Sequence, residues 1–349
     1  MKLPATEIPS EGTPVGIMTT RGIPIRDANM QETCRLQLPV ALLLALLCGF
    51  QSGCGPAETP SGSSAQPDEE PTRAVEEARG ESPASPFGML ISAVELKDRL
   101  SKPDLRILDV RPREDYGAGH IPHAAHTSLN EWKSQALADG GLHDEEAWSR
   151  IVGNLGIDQA TNVVVYAEKP TDATRIWWTL KYLGVGNVAV LDGGWRAWQE
   201  TGGEATTETV PALPLKFFPQ FQPDRLAEIA QLKSLLRDEA VTIVDTRSSE
   251  EFDGSAGPAA RKGRIPGAVH LEWKELLDQQ GRFKTKAELV ALFEQRGIAA
   301  DKTAVTYCQS GGRASLDAFA LELAGYRNVQ NYYCSWQEWS ADTDAPVEK

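Results

Sequence analysis

Hydrophobic and polar positions alternate along most of the chain in blocks of two kinds. Short apolar runs rich in β-branched residues, such as VTIVD at Val241–Asp245 and TAVTY at Thr303–Tyr307, are separated by longer amphipathic stretches. In the C-terminal part this pattern predicts strands over Val241–Asp245, Ala268–Leu271, Thr303–Tyr307 and Val329–Tyr332. It predicts helices over Ala287–Arg296 and Ala314–Ala324. Strands alternating with helices predict an α/β fold, a mainly parallel sheet with helices on both faces. In such sheets the working loops lie beyond the C-terminal strand ends.

The pattern occurs twice. Tyr166 and Tyr307 each end an apolar run, Gly184 and Gly325 each break the next helix, and Trp195 and Trp198 answer Trp336 and Trp339; each pair is 141 residues apart. ILDVRPREDY (107–116) mirrors IVDTRSSEEF (243–252), and GHIPHA (119–124) mirrors GRIPGA (263–268). A period this long marks a duplicated domain, not a solenoid unit. The expected organisation is an export segment 1–54, a disordered tether 55–86, an inactive domain 87–203, a linker 204–224 and a catalytic domain 225–349.

The N-terminal segment reads as an address. Leu38–Phe50 is an apolar run of 13 residues, too short to span a bilayer and right for an export signal. Gln51-Ser52-Gly53-Cys54 then resembles a bacterial lipoprotein processing site, which makes Cys54 the lipidation candidate. Gln51 stands where such sites carry an aliphatic residue, so ordinary signal cleavage and an uncleaved anchor stay open. Met30 would start a signal of normal proportions, and residues 1–29 read as a mis-called start or an unstructured extension. Residues 55–86 hold almost no large apolar side chain and cannot repay their ordering entropy. The expectation is an exported monomer on the periplasmic side, touching a membrane only through an N-terminal lipid anchor.

Composition narrows the chemistry. A formal net charge of -14 argues against nucleic acid as a partner. Of five cysteines only Cys308 and Cys334 fall in the foldable part, without a CxxC pair or Cys/His cluster, so no metal site is expected. Cys308-Gln309-Ser310-Gly311-Gly312-Arg313 follows a predicted strand and opens a predicted helix. Paired glycines let the backbone curl with its N–H groups inward, and a helix start adds to the anion cradle. A thiol held there, beside Arg313, is expected to ionise and act as a nucleophile. The first copy has Ala167 and Glu168 at the matching place and is expected to be silent, covering the active face.

Other candidates carry less. Arg261, Lys262 and Arg264 are candidate contacts for a substrate anion, or simply a solvated loop. Asp245 and Arg247 read as a structural pair, repeated at Asp109 and Arg111. Cys334 reads either as a resolving thiol for Cys308 or as a small buried residue. His120 and His270 read as structural.

The "D-x-R" strand ends, the "G-[HR]-I-P" turns, the Cys308 loop and the "W-x-x-W" close of each copy together resemble the tandem-domain rhodaneses, the thiosulfate/3-mercaptopyruvate sulfurtransferase family. The resemblance spans about residues 90–345. It implies two tandem rhodanese-like domains with the second active. Cys308 would take the outer sulfur of a small anionic donor, thiosulfate or 3-mercaptopyruvate, as a persulfide. The sulfur would pass to cyanide, a thiol or a protein, with no cofactor. The alternatives are a persulfide carrier with little turnover and a rhodanese-fold phosphatase or arsenate reductase. The latter resemble C-x5-R, whereas Cys308 to Arg313 is C-x4-R. Two departures leave the donor open. Glu251 stands where the family often places a substrate-binding arginine, and the loop resembles neither CRKGVT nor CGSGVT. Arg313 in the loop tilts the expectation to thiosulfate.

Overall fold

The computed structural model describes residues 87–349 apart from Asp139. The segments 1–54 and 55–86, with the Leu38–Phe50 run and Cys54, lie outside the described residues.

Each copy builds one parallel sheet. In the first, β1 (Leu90–Ile91), β2 (Leu105–Asp109), β3 (Ala124–His126), β4 (Asn162–Tyr166) and β5 (Val188–Leu191) lie in the order β1-β5-β4-β2-β3. In the second, β6 (Val241–Asp245), β7 (Val269–His270), β8 (Thr303–Tyr307) and β9 (Val329–Asn331) lie in the order β7-β6-β8-β9. Where the first copy has β1, the second has only a parallel bridge from Leu226 to Asn331. The α/β architecture read from the pattern is the one observed. β6 and β8 coincide with the predicted strands, while β7 and β9 are shorter than expected. Central strands such as Val163–Val165 are fully buried, as parallel strands covered on both faces must be.

The two copies join through helices. Pro170–Tyr182 packs on Gly312–Ala324, with the rings of Trp177 and Phe319 edge to face at 4.8 Å. One apolar cluster runs through both copies. Polar links rim it: Phe283 N–H donates to Asp192 (3.0 Å), Arg282 pairs with Glu200 (3.1 Å), and Arg225 with Glu322. The segment between the copies is more firmly held than a surface linker needs to be. Leu215 N–H donates to the Gly153 carbonyl, Gln220 and Gln222 donate to Leu183 and Tyr182, and Phe217 is buried.

At the strand ends the duplication repeats one lock. Asp245 accepts from Arg247 Nε (2.9 Å) and Nη2 (2.6 Å) and from the Tyr307 hydroxyl (2.5 Å). Arg247 also donates to the Gly263 carbonyl (2.7 Å), and Tyr307 accepts from Ile265 N–H (3.1 Å). Asp109, Arg111, Tyr166, Gly119 and Ile121 make the same contacts in the first copy. The pair is buried: Asp245 and Arg247 are 0% and 2% exposed. Removing one partner strands a buried charge. Asp245→Ala is expected to cost about 3–5 kcal/mol of unfolding free energy, measured by urea denaturation. A loss within the range of a surface pair would show the lock to be idle.

Candidate active site

Cys308 is the first residue beyond β8. Its loop is shaped by what holds its carbonyls. Trp336 and Gln337, at the start of the Ser335–Ala341 helix, donate their N–H groups to the carbonyls of Cys308 and Gln309 at 3.0 Å each. With the carbonyls drawn that way, Gly311 N–H points at Cys308 Sγ (3.1 Å). Ser315 donates back to the Gly311 carbonyl (2.8 Å) and receives from Asn331 Nδ2 (3.0 Å), which fixes the first helical turn.

The two glycines serve different ends. Gly311 has φ 87°, and a Cβ there would stand 2.8 Å from the Tyr333 carbonyl oxygen, so it supplies both the left-handed turn and the space. Gly312 makes room for a side chain from the other domain: a Cβ on it would stand 2.6 Å from Arg175 Nη2. Arg175 is 7% exposed, and its Nη1 donates to the Tyr333 hydroxyl (2.8 Å). Burial opposes its charge, while Tyr333, Cys308 and Asp172 support it, so it stays protonated.

Cys308 itself is 2% exposed. Burial pushes its thiol up, but Arg313, the Ala314 N–H, Arg175 and the Ser310 N–H outweigh burial and hold it below the ordinary thiol range. Ser335 completes the surroundings. Its hydroxyl accepts from Cys308 N–H (3.1 Å), donates to the Tyr332 carbonyl (2.8 Å) and lies 3.9 Å from Sγ. Ser335 holds φ 57°, where the first copy has Gly194 at φ 56°.

The structure gathers some of the sequence candidates and disperses others. Cys308, Gln309, Ser310, Gly311, Gly312 and Arg313 form the loop between β8 and the helix that follows. Arg313 faces the thiol but is gripped by Glu251, Nη1 to Oε2 at 2.5 Å and Nη2 to Oε1 at 3.0 Å. Arg261 and Arg264 are committed elsewhere. Arg261 donates to the carbonyls of Asp342 and Ala345, and Arg264 pairs with Glu348, so both hold down the C-terminal segment. Lys262 is exposed. His270 Nε2 lies 2.9 Å from the Arg247 carbonyl, and His120 Nδ1 lies 2.8 Å from the Tyr116 carbonyl, which gives each a backbone partner. No disulfide joins Cys308 and Cys334; Cys334 packs against the cluster of Tyr332 and Trp336.

Sequence reasoning passed over Arg175 and Ser335. A signal for Arg175 existed: it is the one charge in TRIWWTL, at the position where the repeat has Leu316. The first copy thus places a charged side chain against the Cys308 loop.

The thiol's environment has a measurable consequence. The rate of Cys308 alkylation by iodoacetamide, with Cys308→Ser as blank, is expected to rise with pH through a midpoint below that of an ordinary cysteine. Removing a cation disfavours the thiolate, so Arg175→Met should raise that midpoint by about one pH unit. An unmoved midpoint would mean that Arg175 does not act on the thiol.

Known proteins share this architecture. The family model described as the rhodanese-like domain matches residues 92–201 and 228–342. The 3-mercaptopyruvate sulfurtransferase of Escherichia coli (strain K12) is 30% identical over 72% of this chain and 95% of that protein. The thiosulfate sulfurtransferase of Corynebacterium glutamicum is 33% identical over 74% and 90%. The sulfur carrier protein TtuD of Thermus thermophilus is 33% identical over 75% and 96%. The anaerobic ergothioneine biosynthesis enzyme of Chlorobium limicola superposes with a TM-score of 0.67 over 75% of this chain and 70% of that one, at 24% identity, a likeness of fold. By sequence and by architecture, the chain belongs to the rhodanese family, with two rhodanese-like domains in tandem.

Proposed function

We propose that the protein is a sulfurtransferase that carries a sulfane sulfur on Cys308, drawn from thiosulfate or 3-mercaptopyruvate. One observation carries the assignment of the residue: a buried thiol facing the Gly311 N–H, with Arg313 and Arg175 lowering its pKa. The thiolate attacks the donor's outer sulfur and forms an S–S bond. With thiosulfate, the donor's S–S electron pair leaves as sulfite. With 3-mercaptopyruvate, the C–S pair leaves as pyruvate enolate, which takes up a proton. The inward amides that favour the thiolate also stabilise the persulfide anion. An acceptor nucleophile, cyanide or a thiol, then attacks the terminal sulfur, and the electron pair returns to Sγ. Two half-reactions give ping-pong kinetics.

The likeness to a sulfur carrier protein supports a second reading, in which the persulfide waits for a protein acceptor. One assay separates the two: cyanolysis with each donor, Cys308→Ala in parallel, with intact-mass analysis for one added sulfur atom. Turnover falling about a thousandfold or more in the variant is the expected result. A persulfide that forms without turnover favours the carrier, and activity surviving in Cys308→Ala overturns the assignment.

The place of action in this reading is the periplasmic side of a bacterial membrane, with a monomer tethered by a lipid on Cys54. The Leu38–Phe50 run, the small residues before Cys54 and the tether composition support it. Palmitate labelling and membrane fractionation of the wild type and Cys54→Ser test it. Loss of label and release into the soluble fraction are expected; unchanged partition overturns the anchor.

A further inference from the structure

The charges around the thiol nearly cancel. Arg313 faces Cys308, but both its terminal nitrogens are occupied by Glu251. Glu251 is fixed in place. It closes a capping box with Ser248, whose N–H donates to Oε2 (3.3 Å) while Ser248 Oγ accepts from Glu251 N–H (3.3 Å). Burial disfavours its charge, but Arg313, Ser248 and Arg247 hold the carboxyl below its usual range, so Glu251 is ionised. Asp317 lies fully buried one turn beyond Arg313. Burial and the neighbouring Cys308, Asp245 and Glu275 raise its pKa well above the usual carboxyl range, against Arg313. Asp245 and Arg247 neutralise each other. Arg261 and Arg264 serve the C-terminal segment.

Of the two guanidiniums that act on the thiol, one is left over. Arg175 hydrogen-bonds the Tyr333 hydroxyl, and among the described residues no carboxylate pairs with it. Asp172, one turn earlier on the same helix, acts on it only at longer range. A singly charged donor would meet one available guanidinium. A doubly charged one would bring a second negative charge beside a thiolate, with Arg313 already spoken for.

We propose that Glu251 selects the donor: by capping Arg313 it leaves Arg175 alone to receive the donor's anionic group, so the site favours monoanionic donors such as 3-mercaptopyruvate over the thiosulfate dianion. This rests on the sulfurtransferase reading and reverses the preference that Arg313 alone implied. Glu251 acts through Arg313 and is a positioning residue.

The test uses the full chain with saturating cyanide. In the wild type, kcat/KM is expected to be higher for 3-mercaptopyruvate than for thiosulfate. Glu251→Gln keeps the shape and frees the Arg313 charge. It should raise kcat/KM for thiosulfate about tenfold, through KM, and change that for 3-mercaptopyruvate less than about threefold. A wild type that prefers thiosulfate, or equal changes with both donors, overturns the proposal while leaving sulfur transfer standing. No persulfide with either donor sinks the sulfurtransferase reading and the proposal together. Inhibition of the wild type needs no variant to fold. Pyruvate should compete against the donor at lower concentration than sulfate; the reverse order overturns the proposal.

Discussion

The site depends on where two carbonyl groups go. Were the carbonyls of Cys308 and Gln309 turned into the loop, they would oppose an anion. The N–H groups of Trp336 and Gln337 take them instead, and the loop's own N–H groups are left to the sulfur. The helix that supplies those donors is held in turn by the strand-end lock, because the Arg247 guanidinium stacks on the Trp336 ring at 4.6 Å. The chain from Asp245 to Arg247 to Trp336 to the Cys308 carbonyl joins a buried ion pair to a reactive thiol. The first copy keeps the frame, with Arg111 on Trp195 at 4.1 Å and Trp195 N–H on the Ala167 carbonyl. What it lacks is the side chain.

Duplication then allowed a division of labour. The first copy has no thiol at Ala167, and the helix that follows begins at Pro170. Its buried face packs against the second copy. Arg175 crosses that interface, and Gly312 yields the volume it occupies. An arginine this deep is tolerated only because Tyr333 accepts from it and Cys308 supplies a facing charge. The interface is therefore part of the site, and the apolar packing of Trp177 on Phe319 and Trp178 on Tyr333 sets its precision.

Much of this was legible in the sequence, for definite reasons. β6 and β8 are β-branched runs with clear ends, the repeat fixed the architecture, and a cysteine before Gly311-Gly312-Arg313 announced its chemistry. The legible features are local. The edge strands are shorter than their apolar runs: β7 keeps only Val269–His270 and β9 only Val329–Asn331. Arg175 was invisible as a site residue because its partner lies 133 positions away at Cys308. Glu251 was noticed only as a missing cation. That it neutralises Arg313 depends on a helix of four residues placing it beside the loop. Arg261 and Arg264 had the right charge, but the chain end claims them, and no periodicity encodes where a C-terminal segment folds back.

The copy that holds Cys308 also carries costs that the first does not. Among the described residues, buried side-chain atoms without a hydrogen-bond partner gather in it: Thr246 Oγ1, Gln309 Oε1, both Asp317 oxygens, Gln330 Oε1 and Asn331 Oδ1, against Arg106 Nε in the first. Thr246 and Asp317 stand where the repeat has Val110 and Ile176, which lie in the first copy's apolar core. Each unpartnered polar group costs stability in a dry interior. Ser335 adds a left-handed backbone that Gly194 adopts without strain. These groups flank the strand ends and loop that hold Cys308, while the first copy packs with apolar side chains at the matching places. Among the described residues, the copy that keeps the thiol is thus the less well-satisfied structure.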